Sequence, residues 1–138
     1  MTRLSIARIL VIVGLAIGLE RLAATFSHIG DPLFTNSPEM FGGSTHAWYH
    51  ALREGVGDVA TIVLLLIVFF APSRFRTPAT WWLALVAMIG YYAPFWVGMP
   101  FNPALAAPNM EAELRHIAQA AGPMIGLLIA RKDFYASA

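Results

Sequence analysis

Apolar residues run along this chain in four long blocks, separated by segments rich in Pro, Gly, Asn and Asp. The blocks cover about residues 6–26, 46–71, 78–98 and 113–130, each close to the ~20 residues that span a hydrocarbon core of ~30 Å. The second is uninterrupted only over Val59–Ala71. A backbone in lipid must satisfy its own hydrogen bonds, so the blocks predict helices and not strands. Ala71-Pro72-Ser73 ends the second block. Thr77-Pro78 opens the third, with Pro at a first-turn position where its missing N–H costs nothing. So short a joint predicts a tight antiparallel hairpin of helices two and three. The first loop, Ser27–Thr45, holds Gly30, Asp31, Pro32, Asn36, Pro38, Gly42 and Gly43. The third, Met99–Ala112, holds Pro100, Pro103 and Pro108, which is ordinary loop chemistry. The expected fold is all-α: one domain over 1–138, an integral membrane four-helix bundle.

Composition sharpens this picture. Hydrophobic residues make up 58% of the 138 and charged residues 12%, about half the share of a soluble domain. Mean hydropathy is +0.64. The net charge of +1 and the lack of a basic cluster with interleaved aromatics argue against nucleic-acid binding. The absence of Cys removes disulfides, thiolate metal sites and cysteine nucleophiles. Arg3 and Arg8 before the run Ile9–Leu19 resemble the start of a signal peptide, but Glu20-Arg21 and Leu22-Ala23-Ala24 make a poor cleavage site, so the run reads as a retained helix.

The basic residues set the expected orientation. Arg3 and Arg8, Arg74 and Arg76, and Arg131 and Lys132 fall on one side of an even number of spans. The first and third loops carry no Lys or Arg. The positive-inside rule then places both termini in the cytoplasm, in a multi-pass protein of the plasma membrane, or of the inner membrane if the source is bacterial. Trp81 and Trp82 suit the inner interface; Trp48, Tyr49 and Trp96 suit the outer one.

Depth locates the candidate chemistry. At ~1.5 Å of rise per residue, Glu20 and Arg21 lie roughly 18–20 Å above the inner surface. Asp58 lies at roughly 21 Å, Tyr91 and Tyr92 at roughly 21–22 Å, and Arg115 and His116 at roughly 22–24 Å by the same rise. All four helices thus carry a polar side chain at one level, where a lone charge costs several kcal/mol and should face the bundle interior. All four histidines fall on the outer side. His46, His50, Glu54 and Asp58 follow i, i+4 spacing along one slowly drifting face, and Glu113-x-x-His116 places a carboxylate beside an imidazole.

These residues support two chemistries. A desolvated carboxylate, Glu20 or Asp58, with His116 and Tyr91 beside it, would move protons in a lipid isomerase or hydratase. Alternatively His46, His50, Glu54, Glu113 and His116 would hold a divalent metal, since Glu-x-x-His is a ligand unit of di-iron bundles and imidazole suits Zn, Fe and Cu alike. Met40, Met99 and Met110 in the outer loops lean toward copper. Only one Glu-x-x-His is present, however, and helix three offers no ligand of that kind. The structural alternative is an ion-pair network of Glu20, Arg21, Asp58 and Arg115 that fixes helix register. Pro94 beside the two tyrosines would kink helix three and widen a cavity. Gly55 and Gly57 are expected to allow close helix packing. The function expected is binding of a metal ion or small lipid-like amphiphile at an outward-facing His/carboxylate cluster, with proton-transfer or metal-assisted chemistry as its catalytic form. The alternative is a non-catalytic accessory subunit, partnered by other membrane subunits within the bilayer.

Overall fold

The computed structural model describes residues 1–37, 39, 43–97, 101–102, 105, 107 and 109–136, with the side chains of 95–97 excepted. The described residues form four helices and no strand: α1 (Arg3–Ser27), α2 (His46–Phe70), α3 (Pro78–Val97) and α4 (Met110–Tyr135). One 3₁₀ turn, Ser73–Phe75, joins α2 to α3. Several expected loop and interface residues, Pro38, Met40, Gly42, Met99, Pro100, Pro103, Pro108 and the Trp96 side chain, lie outside the described residues.

Local chemistry explains the helix ends. Thr2 caps α1 by accepting a hydrogen bond from the Ser5 N–H, 3.1 Å, and Asn109 caps α4 by accepting from the Ala112 N–H, 2.9 Å. Thr77 does the same for the Thr80 N–H at 3.2 Å, just ahead of Pro78. Pro72 forces Ala71 into extended backbone and stops α2. The last carbonyls of α2 are met by arginines: the Phe69 carbonyl accepts from Arg8 Nε, 2.8 Å, and the Ala71 carbonyl from Arg76, 3.0 Å. Helix α4 runs five residues beyond the hydropathy boundary at Ala130 because Phe134 is fully buried against Phe69 and Tyr135 packs edge-on to Trp81. Packing, and not hydropathy, ends that helix.

The helices form an up-down ring in which α1 neighbours α2 and α4, and α3 neighbours both of those. The closest pairing is α1 against α4, built on two Gly-x-x-x-Gly units, Gly14/Gly18 and Gly122/Gly126. A Cβ at Gly14 would overlap the Pro123 ring and stand 2.8 Å from the Gln119 carbonyl oxygen. At Gly122 it would stand 2.6 Å from the Leu10 carbonyl, and at Gly126 2.9 Å from that of Ala7. Gly55 of α2 receives the Phe26 ring in the same way, with Cζ 2.7 Å from the site of a Cβ. Gly57 does not: nothing lies within 4 Å of a Cβ there, so the packing role expected of it falls to other glycines.

The end of the bundle carrying both termini is an apolar core of Ala7, Val11, Leu65, Phe69, Met88, Leu127 and Phe134. Trp81 belongs to this core and not to an interface. It is 4% exposed, and its indole N–H donates to the Leu127 carbonyl, 2.9 Å, so the wide ring is drawn inward by a buried acceptor. Trp82, 52% exposed, remains outside. The outward faces are also apolar: Ile9, Val13, Val56, Val63, Ile67, Leu83, Val86 and Leu128 are all exposed. Among the described residues one helix, α1, is long and apolar enough by length and composition to cross a membrane. Helix α2 carries Arg53, Glu54 and Asp58 in its first half, and α4 carries Glu111, Glu113 and Arg115.

The close seam makes a direct prediction. Gly14→Leu should destabilise the bundle by about 1–3 kcal/mol through overpacking, whereas Gly57→Ala should be neutral or slightly stabilising. Thermal unfolding of both variants in one detergent checks this; equal midpoints would show that the seam tolerates a side chain.

Candidate functional site

The polar level expected from depth matching becomes a cavity of about 370 Å³ at the bundle end away from the termini. Helix α1 contributes Arg21, Ala24 and Thr25, α2 Glu54 and Asp58, α3 Tyr91 and Pro94, and α4 His116 and Gln119, while His28 closes the rim. Its volume lies within the range of small-ligand pockets. Asp58, Tyr91 and His116 are half-buried on three different walls; Glu54 is exposed at the mouth. Tyr92 turns the other way and is fully buried among core residues. Helix α3 passes through Pro94 to Val97.

Glu20 does not enter this cavity. Adjacent helical residues point about 100° apart, so once Arg21 faces inward Glu20 is carried to the outside, where its side chain is 63% exposed. There it accepts from Arg115 at 2.6 Å, and Arg115 also pairs with Glu111. Arg21 lies 3.8 Å from Glu20. The ion-pair network therefore binds α1 to α4 on the outer surface, and Asp58 takes no part in it.

The five expected metal ligands divide among separate places. His46 and His50 contact each other, Nε2 to Nε2 at 2.8 Å, on an exposed turn of α2. Glu113 is 7% exposed and accepts from the Ala107 N–H, 3.2 Å, which ties the preceding loop to α4. His116 and Glu54 face the cavity from α4 and α2. Among the described residues no group of three or more His, Asp or Glu is placed to hold a metal ion. Glu113 is engaged by the Ala107 N–H, and His46 and His50 by each other.

Two contributors went unnoticed in the sequence. Gln119 is 4% exposed, lines the cavity and donates to the Tyr91 hydroxyl at 3.5 Å, while its Oε1 has no hydrogen-bond partner. Gly18 makes room for this carboxamide, since a Cβ there would meet its Cδ and Nε2 at 3.1 Å. A search confined to ionisable groups passes over a neutral amide, although an uncharged polar residue inside an apolar block four residues before Pro123 is a readable signal.

A second cavity, about 420 Å³, shares Glu54, Asp58, Tyr91 and Pro94 with the first, adds His50 and Arg53 of α2, and lies against Gly57 and Gly90. Both glycines border open space. That explains why Gly57 packs against nothing.

Because Glu20 is exposed and Arg115 keeps Glu111, Glu20→Gln should cost less than about 1 kcal/mol. Chemical denaturation of the variant beside the wild type measures it; a loss of several kcal/mol would mean that Glu20 is buried against a partner in the native assembly. No family model, curated protein or solved structure matches the chain.

Proposed function

We propose that this is a four-span membrane protein with both termini cytoplasmic, whose outer polar cavity binds a small amphipathic molecule. The observation that carries the reading is the placing of Arg21, Asp58, Tyr91, His116 and Gln119 around one cavity in a bundle that exposes large apolar side chains on all four helices. Water-soluble bundles hide such faces, and a jacket of exposed Ile, Val and Leu on every helix is what lipid contact requires. Helix α3 contains no Asp, Glu, Lys or Arg, the charges of α2 lie in its first half and those of α4 at its two ends, leaving their apolar portions for the hydrocarbon.

In such a site Asp58 is the proton-accepting group and His116 its partner across the cavity, with Tyr91 and Gln119 orienting a polar substituent of the ligand. This arrangement serves binding and, for a ligand with a mobile proton, isomerisation or hydration. The accessory-subunit reading has its own support in the exposed cluster of Glu20, Arg115 and Glu111 across α1 and α4, a polar patch suited to another membrane subunit.

Cysteines introduced singly at Ser37 and Ser73 should label from opposite faces of sealed vesicles, Ser37 from outside; labelling from the same face would overturn the topology. Asp58→Asn and His116→Ala should each reduce the amount of copurifying amphiphile by an order of magnitude while the protein still inserts. Unchanged lipid content in both, with lower melting temperatures alone, would favour the accessory subunit.

A further inference from the structure

We infer that the ligand is a zwitterionic lipid, with its head group in the polar cavity and an acyl chain lying in the groove between α2 and α3; this rests on the amphiphile reading above. The first observation is the separation of charge. Glu54 and Asp58 stand on the α2 wall, and Arg21 stands on the α1 wall. Among the described residues Arg21 has one ion pair, with Glu20 outside the cavity, and neither Glu54 nor Asp58 has one. Opposite charges face one cavity without closing on each other. An ammonium on α2's side and a phosphate on α1's side would compensate both walls at once, where a purely anionic or cationic head would compensate one and oppose the other.

The second observation is unmet polar capacity on the α1 and α4 walls of the same cavity. Gln119 Oε1, an acceptor, and Arg21 Nε, a donor, are both buried without hydrogen-bond partners. A buried donor or acceptor left unpaired loses its hydration with nothing in return. A head group with N–H donors and anionic oxygens satisfies the two together.

The third is a path for the chain. From the cavity the Gly57/Gly90 opening leads sideways between α2 and α3. One turn further along α2 begins an apolar groove of about 500 Å³, lined by Ala60, Val63, Leu64 and Ile67 with Thr80 and Leu83 opposite. From Gly57 to Ile67 the helix rises about 15 Å, a length suited to an extended acyl chain. Polar head site, an opening floored by Gly57 and Gly90 with Arg53 and His50 at its rim, and an apolar groove follow one another along α2 in the order a lipid needs.

The test uses full-length protein in a neutral detergent and native mass spectrometry with probes of equal acyl length. Their heads are phosphoethanolamine, phosphoglycerol and uncharged glycerol; free phosphoethanolamine is added as a chainless probe. The expected result is at least tenfold preference for the acylated phosphoethanolamine over the other acylated probes. Asp58→Asn and Arg21→Gln should each abolish that preference. Gly57→Leu, which enters open space and leaves the fold intact, should weaken the acylated probe about tenfold and leave the chainless one unchanged. Equal binding of all heads, with the chain still required, would overturn the zwitterion and keep the amphiphile. Loss of the preference without any effect of Gly57→Leu would overturn the groove. Binding of none of the probes would remove the ligand reading as well.

Discussion

The contact between Gly14 and Pro123 governs how this bundle is put together. Proline has no N–H, so the Gln119 carbonyl one turn back loses its helical partner. That carbonyl lies where only a glycine can face it, and Gly14 supplies the glycine. With the backbones of α1 and α4 drawn together there, Gly18 falls against the Gln119 side chain and Gly126 against Ala7. Ion pairs mark both ends of the seam: Arg3 with Asp133 at 4.0 Å and Glu20 with Arg115 at 2.6 Å. The register so defined turns Arg21, His116 and Gln119 toward the same space. The opposite side of the ring is looser. Helices α2 and α3 meet through a short joint, and the space that the α1/α4 seam excludes reappears between them.

The sequence announces the helices better than the site. Long apolar blocks, Pro72 and Pro78 place three of the four helices within a few residues, because chain-breaking chemistry is local. The extension of α4 to Tyr135 was not legible, since it depends on Phe134 meeting Phe69 from another helix. Counting rise per residue put Asp58, Tyr91 and His116 at one level, and they do share a cavity. Depth says nothing about azimuth, however. Glu20 has the same depth as its neighbour Arg21 and the opposite outlook. The glycines show the same limit: Gly55 and Gly57 look equivalent in one dimension, yet one receives Phe26 and the other borders a void.

The histidines show how much of a donor set spacing alone leaves open. Four imidazoles at one end of a chain look like a donor set, and His46, His50 and Glu54 share a helical face. The i, i+4 spacing that puts two rings on one face also lets them bond to each other, which His46 and His50 do. Glu113 is similarly taken up by the backbone of its own loop. What the structure brings together is a cavity with Glu54 and Asp58 on one wall and Arg21 on another.

The arginines at the closed end of α2 join two properties usually treated apart. Arg8 and Arg76 give their protons to the Phe69 and Ala71 carbonyls. In the proposed orientation these same side chains are among the positive charges that hold the termini in the cytoplasm. A chain inserted upside down would therefore have to drag those guanidinium groups across the bilayer or leave α2 frayed at its end. In the proposed orientation, then, the charges that resist crossing the bilayer and the donors that finish a helix are the same side chains.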